Sequence, residues 1–163
     1  MGMSGNYFRT DEDTVADIRA GVRKLSDFIY DSALADQRLD IDKAWHAIHF
    51  TLTGAPYGDE GIGVLGRLVL GGNMLLEGDD EYSAMLIPAD DVQALVPALA
   101  AVTEESFRED FDVPAMLEND IYPVTEDDDA DDFFEYVWDY FEEIREFFQR
   151  AAEEEQAVIF YMS

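Results

Sequence analysis

The chain contains no cysteine among its 163 residues. Disulfides, thiolate nucleophiles and sulfur-ligated zinc are excluded together, and a reducing compartment is the natural setting. Cationic side chains are nearly as scarce: 10 Lys and Arg stand against 38 Asp and Glu, a formal net charge of -28, and only Lys24 and Lys43 are lysines. With no basic stripe to neutralise phosphates, direct binding to nucleic acid or to anionic membranes is disfavoured. No run approaches the ~18 apolar residues of a membrane-spanning helix, and Met1 to Thr10 lacks the apolar core of a secretory leader, about 7–15 residues long. The expected compartment is the cytoplasm. Gly2 raises the question of N-myristoylation, but Asn6 stands where that motif needs Ser or Thr.

What the chain does have is apolar mass. Hydrophobic residues make up 48% of it and aromatic residues 13%, enough to offset the ordering entropy that leaves most highly charged chains disordered. A chain of this length supports one domain burying roughly 70% of its unfolded surface. Thr10 and Asp13 resemble a capping box ahead of Val15, Ile18 and Val22, which predicts a first helix broken near Gly21, and a second carries Leu25, Phe28 and Ile29. Leu39 to Gly54 reads as one helix with an acidic N-cap, an apolar stripe of Ile41, Ala44, Trp45, Ile48 and Leu52, and a glycine exit. Ala55 to Gly61 reads as loop, while Val64 to Leu70 and Tyr82 to Ile87 read as strands. A helix through Val92, Leu95, Leu99 and Val102 should end or kink at Pro97. Shorter helices over Glu104 to Phe111 and Val113 to Leu117 precede the longest one, Asp131 to about Glu153. Its core stripe is Phe134, Val137, Trp138, Phe141, Ile144 and Phe148. Ala157 to Met162 is apolar throughout and predicts a buried strand, with Met1-Gly2-Met3 beside it in the sheet. The expected class is α+β, a single domain over residues 1–163 with several helices packed on a small mixed sheet that includes the C-terminal strand.

Charge is unevenly distributed. Residues 104–163 hold 21 acidic and 3 basic side chains, against 17 and 7 in residues 1–103. The densest stretch, Glu126-Asp127-Asp128-Asp129-Ala130-Asp131-Asp132, packs carboxylates well inside the ~8 Å screening length of physiological salt. Part of this acidity complements the positive end of the long helix's macrodipole.

Several segments taken together resemble the YfbM-like family of small bacterial proteins. They are the opening Met1-Gly2-Met3-Ser4-Gly5-Asn6-Tyr7, the Leu39-to-Gly54 segment, Val69-Leu70-Gly71-Gly72, and Phe141 to Ala152 followed by Val158-Ile159-Phe160. The order Asp42-Lys43-Ala44-Trp45-His46-Ala47-Ile48-His49-Phe50 is the most specific part. The resemblance spans nearly the whole chain and implies a single α+β domain. It carries over no functional residues, and the Asp-rich 126–132 segment departs from what the family leads one to expect.

Three readings of function follow. In the first, a non-enzymatic protein without cofactor or bound metal uses Asp127, Asp128, Asp129, Asp131, Asp132, Glu135, Asp139, Glu142, Glu143 and Glu146 as one negative face. That face would steer and hold a basic protein partner, as an inhibitor or immunity protein covers a nucleic-acid-binding or nuclease-like surface. In the second, a small enzyme or ligand-binding domain uses Asp42, Trp45, His46 and His49. Two imidazoles three apart on a helix suit one metal, but the same spacing fits one packed histidine, His49, and one half-exposed, His46. Thr51 and Thr53 are the nearest hydroxyls, and no nucleophile elbow surrounds them. In the third, a housekeeping protein has a salt-adapted surface, since eight arginines against two lysines are also the mark of a halophilic or GC-rich source. The Gly61-Ile62-Gly63-Val64-Leu65-Gly66 spacing matches a dinucleotide fingerprint but follows a loop, and the Asp-rich segment lacks the glycine and terminal Glu of a calcium loop.

Overall fold

The apolar run that closes the chain lies at the centre of the sheet. The computed structural model describes residues 3–57, 63–70, 73–76 and 84–163, which leaves Gly2, the Gly61-Ile62 half of the fingerprint, the Gly71-Gly72 turn and Tyr82 outside the described residues. Five strands are described: β1 (Gly5–Thr10), β2 (Arg38–Asp40), β3 (Asn73–Leu76), β4 (Ala84–Ile87) and β5 (Ala157–Met162), in the order β2-β1-β5-β4-β3. Tyr7 lies opposite Phe160, Phe8 opposite Ile159, and Ile87 opposite Val158.

Every described pairing is antiparallel, so the sheet is not the mixed one expected. The reason lies in the connection between β4 and β5. β4 ends at Ile87 against Val158 at the start of β5, so the long helical excursion leaves and re-enters the sheet at one end without crossing it.

Helices clad both faces. They are α1 (Glu12–Arg19), α2 (Ser26–Ile29), α3 (Trp45–Thr53), α4 (Ala89–Ala100), α5 (Glu104–Asp110), α6 (Val113–Glu118) and α7 (Ala130–Glu153). Tyr7, Ile87, Val158 and Phe160 share one core with Trp45, Leu95, Phe141 and Phe148 from α3, α4 and α7. Phe8, Leu86, Ile159 and Tyr161 share the other with Val15 and Ile18 of α1 and Leu25, Phe28 and Ile29. A strand covered on both sides has no polar face, which is why β5 reads as an uninterrupted apolar run. At Gly5 a Cβ would stand 3.0 Å from both Trp45 and the Phe160 ring, so a side chain there would wedge α3 away from the sheet.

Four local expectations are corrected. The cap of α1 is Asp11, whose carboxylate accepts from the Thr14 N–H at 2.7 Å; Thr10 is the last residue of β1, paired with Ala157. The Leu39-to-Gly54 segment is not one helix. Leu39 and Asp40 belong to β2, Asp42 turns the chain at φ 49, and α3 begins at Trp45 behind Ala44, with no side-chain cap. Gly54, at φ 74, closes α3 as expected. Val64–Arg67 is a 3-10 turn and not a strand; Leu68 and Val69 beyond it are buried in the α3, α4 and α7 core and need no strand partner. Of the two outcomes expected at Pro97, an end to the helix is not found: α4 runs on to Ala100. Burial of Leu95 and Leu99 on either side, together with the Gln93 amide donating to the Ala152 carbonyl of α7 at 2.7 Å, outweighs the missing backbone bond.

Candidate functional site

The long helix separates oil from charge cleanly. At 100° per residue, Phe134, Val137, Trp138, Phe141, Ile144 and Phe148 fall on one side of α7 and are buried, while Asp131, Asp132, Glu135, Asp139, Glu142, Glu143 and Glu146 fall within one arc on the other and are exposed. The helix begins at Asp129, whose carboxylate accepts from the N–H groups of Asp131 and Asp132, both at 3.0 Å. One residue back, Asp128 accepts from Thr125 N at 2.7 Å and turns the chain into the helix. The structure therefore brings all ten sequence-predicted acidic residues onto the outer face of α7 and the turn before it.

Arginines neutralise little of this face. Arg108 pairs with Asp131 while lying over the Phe134 ring, and Arg150 pairs with Glu146 one turn away at 3.0 Å. Arg145 is occupied elsewhere, donating to the Val102 carbonyl at 3.0 Å with its guanidinium over Trp138. The other eight carboxylates form no ion pair with any described residue. Two grooves flank the ribbon. One, of about 640 Å³, is lined by Glu104, Glu105, Arg108, Asp131, Phe134 and Glu135. The other, of about 720 Å³, runs between β2 and α7 and is lined by Leu39, Asp40, Tyr136, Asp139, Tyr140 and Glu143.

The second predicted group is arranged differently. α3 is buried on nearly every side, so His46 and His49 are both 1% exposed, and the expected half-exposed His46 is corrected: residues 55–57 and 121–122 close over it. Tyr122 donates its N–H to His46 Nδ1 at 2.9 Å, so the proton sits on Nε2, which donates to the Pro56 carbonyl at 3.0 Å. Burial lowers the His46 pKa, the Pro56 contact opposing it in part. The ring stacks on Trp45, whose Nε1 donates to the Met3 carbonyl at 2.9 Å. Asp42 faces α7, where its carboxylate accepts from the Tyr136 hydroxyl at 2.8 Å. Each of these partners binds its residue into the fold, and Asp42, Trp45, His46 and His49 line neither of the two grooves beside α7. Among the described residues, no three His, Asp or Glu side chains are grouped to hold a metal ion. Thr53 donates its hydroxyl to the His49 carbonyl at 2.8 Å, away from catalytic use.

Asp40, Tyr136 and Tyr140 escape a reading of the sequence. Tyr136 and Tyr140 sit four apart on the flank of α7, where period alone assigns them to the edge of the core, and Asp40 reaches them only because β2 is a strand. No helix among the described residues is long and apolar enough to cross a membrane.

Comparison with known proteins places the chain. A sequence-family model described as "Domain of unknown function (DUF1877)" matches residues 1–161. Protein YfbM of Escherichia coli strain K12 is 32% identical over 125 residues, covering 76% of this chain and 74% of that protein. The crystal structure of YfbM from Escherichia coli, described as a protein of unknown function, matches with a TM-score of 0.75 at 23% identity. That match covers 98% of this chain and 99% of the other. The family resemblance read from the sequence and the single-domain α+β class are both borne out.

Proposed function

This chain belongs to the DUF1877 family, whose description names no activity, and from that premise we propose that it is a non-enzymatic acidic binding protein whose α7 face engages a basic protein. The mode of action is that of an inhibitor or immunity protein. Carboxylates on a rigid helix cover the Lys/Arg surface with which a nuclease-like or other nucleic-acid-binding protein meets its phosphates. The observation that supports this most is the set of eight exposed carboxylates, five on α7 and three in the turn before it, with no arginine among the described residues paired to them. α7 holds five of them at fixed backbone spacing, so that part of the backbone need not be ordered on binding, and their summed field raises the rate of encounter with a cation-rich surface.

The enzyme reading finds no support in His46, whose two ring nitrogens are both engaged by backbone groups. The salt-adapted housekeeping reading draws on the arginine-over-lysine bias and is separated by the behaviour of the isolated protein in salt, taken up below.

The test is titration of purified basic nucleases and nucleic-acid-binding proteins with this protein at low salt and at about 1 M, where the screening length falls to ~3 Å. Tight binding at low salt that blocks the partner's nucleic-acid binding, and that weakens steeply with salt, is expected. Affinity indifferent to salt, or no binding across the panel, defeats the proposal.

A further inference from the structure

The groove between β2 and α7 has an aromatic floor, and it differs from the groove at Phe134 in that none of its lining residues is an arginine. Tyr136 and Tyr140 meet edge to face with their ring centroids 5.3 Å apart. Tyr136 is immobilised: its hydroxyl donates to Asp42 at 2.8 Å and accepts from Lys43 N at 3.0 Å. Its neighbour Tyr140 is half-buried, and its hydroxyl pKa is raised by burial and then by the carboxylates of Asp42, Asp40 and Glu143. Asp139 and Glu143 form the α7 rim and Asp40 the β2 rim, and no cationic side chain among the described residues lines the groove.

We infer that this groove seats an arginine side chain of the basic partner, its guanidinium lying over the Tyr140 ring and its N–H groups donating to Asp139 and Glu143. The inference rests on the function proposed above and assigns the anchor point within it. Arginine fits better than lysine. A planar, weakly hydrated guanidinium stacks on an aromatic ring while its edges donate to two carboxylates, whereas an ammonium must shed a tighter hydration shell to do the same. Charge complementarity selects this occupant over an apolar one, because a hydrophobic side chain would strip water from three carboxylates and return no hydrogen bond. In the other groove the aromatic ring, Phe134, is already covered by this chain's own Arg108, which pairs with Asp131 there.

Fluorescence anisotropy with a labelled glycine–serine peptide carrying two arginines, and with its lysine counterpart, tests this on the full-length protein at low salt. Asp139→Asn with Glu143→Gln is expected to weaken the arginine peptide about 5- to 10-fold, and Tyr140→Leu about 3- to 5-fold. Asp13→Asn with Asp36→Asn, which removes the same charge away from α7, should change it by no more than ~2-fold. Tyr140→Phe keeps the ring and should bind as the wild type does, with unchanged circular dichroism showing that these variants are folded. A loss from the groove pair with Tyr140→Leu without effect overturns the groove while leaving the acidic-face function standing. No salt-sensitive binding of either peptide, together with failure of the basic-protein panel, overturns both.

Discussion

Tyr122 donates its backbone N–H to Nδ1 of His46 at 2.9 Å, and the other nitrogen of the same ring donates to the Pro56 carbonyl at 3.0 Å. One neutral imidazole thus joins α3 to two loops that are otherwise distant in sequence. Protonation at Nδ1 would remove the acceptor that Tyr122 needs. Because burial lowers the folded-state pKa below the ordinary 6.5, the unfolded chain takes up its proton first as pH falls. This contribution to stability is complete above about pH 6.5 and is lost as pH drops through that value toward the lower folded pKa. Thermal melts at about pH 7.5 and 5.5 should show the wild type losing stability on acidification. His46→Gln should be less stable by about 1–3 kcal/mol at the higher pH and flatter between the two. A wild-type slope that the substitution leaves unchanged would remove His46 from this role.

Asp42 is held in the left-handed region at φ 49, its N–H bonded to the Asp40 carboxylate at 2.7 Å and its own carboxylate to Tyr136. Burial of the Tyr136 hydroxyl and its donation to Asp42 both raise its pKa, so it stays protonated across the physiological range. Tyr136→Phe strips the turn of its tie to α7 and leaves the Lys43 N–H without its acceptor. A loss of about 1–2 kcal/mol in denaturant unfolding is expected, with the fold retained.

Phe141 is fully buried at the centre of an aromatic cluster, stacked on Phe107 at 5.0 Å and tilted against Trp138 at 5.4 Å. Phe141→Ala should cost about 3–5 kcal/mol, and Phe141→Leu, which leaves less empty volume, distinctly less. Equal losses for both would mean that the site collapses around the smaller side chain.

The long helix and the last strand were legible because each has a period that burial alone explains: 3.6 in α7, and none in a strand covered on both faces. β1 was not, since Asn6, Arg9 and Thr10 are all buried yet look like surface residues in sequence. Arg9 Nη1 donates to Glu154 and Gln156, both at 2.8 Å and about 145 positions along the chain, and Asn6 donates to Ser163 at 2.9 Å. Local patterning carries no sign of such partners. The Leu39-to-Gly54 segment misled for a related reason: a buried helix preceded by an edge strand joins two apolar patterns into one apparent stripe. Of the site, the acidic face followed from helical spacing, and the tyrosine groove did not, because it needs β2 and α7 side by side.

Crowded carboxylates on α7 repel one another, so salt should stabilise the isolated protein modestly. Raising potassium chloride from low salt to about 0.5 M is expected to add about 1 kcal/mol, ~3 °C in Tm for a chain of this size. A variant with Asp127, Asp132 and Glu135 changed to their amides should lose most of that increment. If the protein instead unfolds below molar salt, the acidity is an adaptation to brine, and the housekeeping reading replaces the binding one.

The most direct measurement is the salt dependence of affinity for a basic protein found in the panel, made with three forms of this chain. These are the wild type, a ribbon variant (Glu135→Gln, Asp139→Asn, Glu142→Gln) and a charge-matched variant altered off α7 (Asp13→Asn, Asp36→Asn, Asp90→Asn), where the carboxylates are equally exposed. The ribbon variant should bind at least about 10-fold more weakly at low salt and with a shallower salt slope, the control staying within about 2-fold of wild type. Equal weakening of the two variants would mean that net charge and not the α7 face governs binding, contradicting the account at its centre.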